Sequence, residues 1–187
     1  MHHVSRALVF AGVLLSAHAA DASVVFRTPL SGTNQVPPVS TTASGSATVT
    51  LQDDNNTLDV AINWTGLSSL GEFGHIHCCT APGTNTGVAL DFGTLPNATA
   101  AAFNQSYNLS TFAFGNGQTE ASFIAGLLAG QAYVNIHDTA FPNGEIRGQL
   151  QQAQVQAVPE PASAWLLSGA VLGAMTLARR RKSSLNA

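Results

Sequence analysis

The middle of the chain alternates apolar and polar residues with a period of two. Every second residue is apolar in residues 45–52 (GSATVTLQ), and the pattern returns in residues 57–64 (TLDVAINW). Side chains of a β-strand point alternately to the two faces of its sheet, so each segment is predicted to be a half-buried strand. Residues 53–56 (DDNN) between them have the composition of a hairpin turn.

Six more short segments have the composition of strands and are separated by turns that contain Gly, Pro or Asn. They cover residues 24–30, 72–77, 88–92, 107–114, 132–137 and 145–150. Residues 119–129 instead have helical spacing, with Thr119 as the N-cap before an apolar set at Phe123, Leu127 and Leu128. This succession predicts an all-β fold, an antiparallel β-sandwich or a Greek-key barrel with one short helix.

The N-terminus has the layout of a secretory signal peptide. A short polar stretch with Arg6 precedes an apolar run over residues 7–15, and small residues follow the run. The run is too short to span a bilayer, so we expect signal peptidase to remove residues 1–19 during export.

The C-terminus has the pattern of a membrane anchor. Residues 162–178 are uncharged and mostly apolar, and a basic stretch, residues 179–187, follows directly. The apolar length is at the short end of what crosses a bilayer, and the basic residues are expected to stay on the cytoplasmic side. We therefore predict one β domain, residues 23–151, joined by a linker, residues 152–161, to a transmembrane helix.

The predicted domain is acidic. It contains two cationic residues, Arg27 and Arg147, no lysine and eight carboxylates, which gives a formal net charge of −6. Nucleic acids and anionic membrane surfaces are bound by clustered Lys and Arg, so the composition argues against both as partners of the domain.

Three histidines of the domain are candidate metal ligands. His75 and His77 are two residues apart on a predicted strand, so their imidazoles would share one face while Ile76 points to the other. His137 lies on another predicted strand and would join the pair if the two strands are neighbours. Imidazole ligands suit copper or zinc, and Cys79 would share the histidine face if its strand continues.

Cys78 and Cys79 leave three alternatives open. Exported proteins usually oxidise paired cysteines, and adjacent cysteines would form a small ring disulfide. Free thiols and metal ligation are the other two alternatives.

Glu145 and Arg147 are also two residues apart on a predicted strand, and we expect a structural ion pair rather than a catalytic arginine. The chain contains no nucleophile elbow, phosphate-binding loop or dinucleotide fingerprint. The sequence therefore gives no basis for assigning an enzymatic activity.

Three stretches of the domain together resemble the CHRD domain, a module named from chordin. They are residues 30–39 (LSGTNQVPPV) with the following Gly45, residues 74–77 (GHIH), and residues 133–150 (YVNIHDTAFPNGEIRGQL). The resemblance implies a non-enzymatic binding or structural module that contacts surface proteins or exopolysaccharide.

The alternative function is that of a copper or zinc protein that uses the three histidines. The His-x-His strand is similar to the copper ligands of copper/zinc superoxide dismutase, which is also a Greek-key barrel. That enzyme needs four histidines at its copper, and only three are available in the predicted domain. Dismutase-like chemistry is therefore a remote expectation.

The C-terminal segment resembles the PEP-CTERM sorting signal of Gram-negative bacteria. Its features are Pro159, Glu160 and Pro161, then the apolar helix, then a cluster at Arg179, Arg180 and Arg181. The resemblance implies recognition by an exosortase and a location in the cell envelope or extracellular matrix, with at least transient membrane anchoring.

Overall fold

The computed structural model describes residues 22–153. The predicted signal peptide, the Pro-Glu-Pro motif, the apolar segment 162–178 and the basic tail 179–187 lie outside the described residues. Within residues 22–153, no helix has the length and apolar character needed to cross a membrane.

The described residues form nine strands, one α-helix and a short 3₁₀ turn at Gly32–Asn34. The elements are β1 (Val24–Ser31), β2 (Ser44–Leu51), β3 (Thr57–Thr65), β4 (Gly71–His77), β5 (Val88–Asp91), β6 (Ala101–Asn108), α1 (Glu120–Leu128), β7 (Tyr133–Asp138), β8 (Ile146–Gln149) and β9 (Gln151–Gln152).

All nine strands belong to one antiparallel sheet. Its order is β5-β4-β7-β8-β1-β2-β3-β6, and β9 also pairs with β1. The sheet curls into a half barrel, so its two outer strands approach each other through side chains. The Tyr107 hydroxyl of β6 donates to the Phe92 carbonyl, directly after β5, at 3.1 Å, and the rings of Phe92 and Phe103 are 5.7 Å apart.

The concave face of the sheet encloses the core. The alternation along β2 and β3 buries their apolar positions, and α1 adds the fully buried Phe123 and Leu127. The helix begins at a capping box, in which the Thr119 side chain accepts from the Ser122 N–H and the Ser122 hydroxyl accepts from the Thr119 N–H. Ile76, Val134 and Ile136 enter the core from β4 and β7, which leaves the opposite face of these strands free for polar groups.

The prediction of an antiparallel all-β domain with one short helix is confirmed, and seven of the eight predicted strands lie where the sequence placed them. The eighth predicted strand, residues 107–114, is wrong. The strand here is β6, which ends at Asn108, and the Asn108 side chain accepts from Ser110 and Thr111 in the turn that follows. Pairing also extends through β9, one residue into the predicted linker.

Candidate metal centre

The pairing of β4 with β7 brings the three histidines together. His75 lies opposite Asn135 and His77 opposite Tyr133, while His137 lies opposite Phe73. Alternation puts the imidazoles on the convex face of the sheet, where one nitrogen atom from each ring lies within 4.8 Å of the other two. The expectation that His137 joins the pair from a neighbouring strand is thus met by the register.

His77 carries the most informative hydrogen bond of the cluster. Its Nδ1 lies 2.8 Å from the Thr86 carbonyl, and because a carbonyl only accepts, Nδ1 must carry the proton. In the neutral ring Nε2 then presents a lone pair. That Nε2 atom is buried and has no hydrogen-bond partner among the described residues.

His137 is oriented in the same way. Its Nδ1–H donates to the Pro142 carbonyl at 2.9 Å, which leaves the Nε2 lone pair facing His75 Nδ1 at 3.3 Å. On the far side of its ring, His75 Nε2 lies 3.8 Å from the Asp91 carboxylate. Each imidazole therefore has a backbone or carboxylate oxygen behind it and turns its other nitrogen towards the cluster.

Burial keeps the three rings neutral at pH 7. Loss of solvent, together with the neighbouring His137, lowers the pKa of His75 to about 4, and Asp91 opposes the shift. Burial also lowers the pKa values of His77 and His137, against the hydrogen bonds to Thr86 and Pro142. Neutral imidazoles retain the lone pairs that metal ligation requires.

Cys79 does not lie in the cluster. Cys78 and Cys79 form a disulfide with each other, which is one of the three alternatives that the sequence left open. The Cys79 sulfur faces α1, where it lies 3.5 Å from the Gln118 side chain and 3.6 Å from the Ser122 carbonyl. A sulfur in a disulfide is not a thiolate, so the structure brings together three histidines and no cysteine.

A cavity of about 390 Å³ adjoins the imidazoles of His77 and His137. Gln35, Tyr133 and Asn135 line it, and Gln35 Nε2 donates to Asn135 Oδ1 at 2.6 Å. A metal held by three imidazoles has at least one coordination position not filled by protein. This cavity gives a small ligand room to reach it.

Sequence reasoning missed the polar residues that surround the histidines. Tyr133 and Asn135 share the face of His137, and the Tyr133 ring stacks on His77 with centroids 4.6 Å apart. Their alternation with Val134 was visible in the sequence, but their neighbours across the sheet depended on a register that the sequence did not supply. Gln35 comes from a loop that is distant in the sequence, and no pattern in the sequence indicated that it lies near the histidines.

The expected ion pair between Glu145 and Arg147 is wrong. The buried Glu145 carboxylate accepts from the Ser68 N–H at 2.9 Å and from the hydroxyls of Ser68 and Thr41. The Arg147 guanidinium instead lies 3.4 Å above the centroid of the Tyr133 ring. Glu145 precedes β8 rather than belonging to it, so strand alternation does not place the two side chains together.

Comparison with known proteins gives one result. A family model described as CHRD domain matches residues 26–150, a range that contains all three histidines of the cluster. No curated protein and no solved structure matches the chain significantly.

Proposed function

The chain belongs to the CHRD domain family, and we propose that it is an exported binding module of the bacterial envelope whose domain holds a copper or zinc ion. The N-terminal signal-peptide pattern and the C-terminal sorting-signal pattern support export and anchoring. Surface proteins or exopolysaccharide are the proposed partners of the module, consistent with an acidic domain that lacks lysine.

The observation that carries the metal proposal is the buried Nε2 atom of His77. A buried polar atom without a partner is uncommon and costs roughly 1–3 kcal/mol. His75 and His137 each bring a ring nitrogen to the same cluster, and one nitrogen atom from each of the three rings lies within 4.8 Å of the other two. A metal ion at the centre of the three would satisfy the His77 atom that has no partner within residues 22–153.

The groups behind the rings support the same proposal. Histidines that ligate metals usually donate their other N–H to a carbonyl or carboxylate, which fixes the ring and its tautomer. The Thr86 and Pro142 carbonyls have this role for His77 and His137. Asp91 is placed to take it for His75 after a small ring adjustment.

Copper and zinc are the ions that fit the donors. Three neutral imidazoles suit both ions, whereas calcium and magnesium require oxygen ligands. A bound ion would supply a Lewis-acidic position open to the cavity, and the protein residues would orient the ligands and exclude bulk water. No observation favours dismutase chemistry, which needs a further histidine at copper.

Elemental analysis tests the metal site. The full-length chain without a histidine tag is loaded with copper(II) or zinc(II) and dialysed, and we expect about one ion per chain and a raised melting temperature. The variant His75→Ala/His77→Ala should lose the bound ion.

Every chain in this experiment carries His2→Ala/His3→Ala, because a free Met-His-His N-terminus can itself bind copper(II). The matched control on this background is Asp53→Asn, which removes an exposed carboxylate outside the cluster and should keep full metal content. His77→Gln, which preserves the size of the side chain, covers the case in which the double variant fails to fold. A metal-free wild-type chain, or equal metal content in the wild type and His77→Gln, contradicts the proposal.

A further inference from the structure

We propose that Arg147 forms a second binding site, separate from the metal centre, which takes the carboxylate of a hydroxylated small ligand such as a sugar acid. This inference goes beyond the proposed metal function and does not depend on it.

The Arg147 side chain is fixed in place and almost fully buried. It lies on β8 with 2% of its surface exposed, and its guanidinium stacks on Tyr133. Nη1 donates to Asn85 Oδ1 and Nη2 donates to the Thr84 carbonyl, both at 2.8 Å. These two bonds leave other N–H groups of the guanidinium without an acceptor in residues 22–153.

The charge of Arg147 has no carboxylate partner in the described residues. Its acceptors are a neutral amide and a carbonyl, and the nearest acid along the chain, Glu145, is bound to Ser68 and Thr41. Burial lowers the pKa of Arg147, and the group that opposes this shift is Tyr133 rather than an acid. A buried charge without a counter-ion is strongly unfavourable, so an external anion would relieve it.

A cavity beside Arg147 gives such an anion access. The cavity has a volume of about 390 Å³ and is lined by Thr28, Thr33, Asn34, Gln35, Gln149 and Arg147. Typical small-molecule sites occupy about 300–1,000 Å³. The cavity shares Gln35 and Val36 with the one that adjoins the histidines, so the two cavities are neighbours.

The lining selects the class of ligand. A planar guanidinium matches a planar carboxylate, to which it can donate two parallel hydrogen bonds. The surrounding hydroxyl and amide groups can both donate and accept, which suits a ligand body that carries hydroxyl groups. The net charge of −6 over residues 23–151 disfavours polyanions, so a single carboxylate is the favoured anion.

Calorimetric titration of the chelator-treated, full-length chain tests the site. We expect saturable binding of D-glucuronate and much weaker binding of both D-glucose and acetate. Arg147→Gln should weaken glucuronate binding at least about tenfold, as loss of a charge-assisted hydrogen bond implies. Arg27→Gln removes the other cation of the domain from an exposed position of β1 and should bind like the wild type.

Thr33→Val, an exposed substitution at the cavity, provides a second variant if Arg147→Gln does not fold, and it should weaken glucuronate binding. The proposal is overturned if the wild type does not bind glucuronate, or if glucose or acetate binds equally well. Unchanged affinity in folded Arg147→Gln overturns it too. Because the protein is metal-free in this experiment, its outcome is independent of the metal test.

Discussion

At the scale of single residues, the domain keeps several ionisable groups in unusual surroundings. The three histidines are neutral and packed together, with an acceptor behind two of them. The unfolded chain exposes the same imidazoles to water, where their ordinary pKa is about 6.5. The histidines should therefore make the stability of the metal-free protein depend on pH.

We expect the free energy of unfolding to fall as the pH is lowered from 7.5 to 5.5. The folded-state pKa of His75 is lowered to about 4, so in this window the unfolded chain binds protons that the folded protein excludes. The stability lost is at most about 1.4 kcal/mol per pH unit for each such group. Urea unfolding of chelator-treated protein at the two pH values measures it.

The variant His75→Asn should show a smaller loss of stability over the same pH window, because one excluded protonation has been removed. Carboxylates titrate mostly below this window and contribute little to the difference. Stability that stays constant or rises on acidification of the wild type would show that the folded-state pKa values of the histidines are not lowered.

At the scale of elements, two buried carboxylates hold the loop between β3 and β4 against the hairpin of β7 and β8. Glu145 accepts from the Ser68 N–H, and Asp138 accepts from the Ser69 N–H at 2.7 Å. These bonds connect β4, which carries two histidines, to the hairpin that carries the third. The acids therefore support the alignment of the site from outside it.

Glu145→Ala should lower the free energy of unfolding by about 2 kcal/mol, because it removes a buried carboxylate that accepts hydrogen bonds from Ser68 and Thr41. Glu145→Gln keeps one acceptor oxygen and should lose less. Hydrogen exchange of the Ser68 amide should become faster in Glu145→Ala.

The control is Glu72→Ala, which removes an exposed carboxylate from β4 and should change stability by less than about 0.5 kcal/mol. If Glu145→Ala were no more destabilising than this control, the carboxylate would not hold the loop.

The sequence predicted β2 and β3 because their burial alternates, and it missed most of β6. β2 and β3 have one buried face, and apolar residues recur at every second position along them. β6 is a largely exposed edge strand whose polar residues give no such signal. The aromatic side chains of Phe112 and Phe114 pack against the core from irregular backbone, so their spacing imitated a strand.

The candidate site was partly predictable for the same reason. His75 and His77 share a face by local geometry alone, and the third histidine needed only that β4 and β7 be neighbours. The Arg147 cavity was not predictable, because its walls come from loops far apart in sequence. Strand alternation instead predicted an ion pair between Arg147 and Glu145, which does not form because Glu145 precedes β8.

At the scale of the whole molecule, the proposed protein consists of a folded domain between two terminal sorting segments. Expressed in a Gram-negative host that has an exosortase, the chain should be found in the envelope fraction, with its N-terminus at Ala20 after removal of residues 1–19. Deletion of residues 159–161 should alter processing or retention at the envelope. N-terminal sequencing and immunoblots of cell fractions measure both outcomes.

A deletion of the same length in the linker, residues 154–156, is the control and should leave the distribution between fractions unchanged. Recovery of the chain from the cytosol with Met1 intact would contradict export.

β4 and β7 separate an apolar environment on one face from a polar environment on the other. Inward-facing Ile76, Val134 and Ile136 are packed hydrocarbon, while the residues between them on the outer side carry nitrogen and oxygen groups under a cover of loops. Residues on the outer face can therefore be substituted one at a time without changing the core on the other face. A scaffold of this kind can gain, exchange or lose a ligand while its fold stays the same.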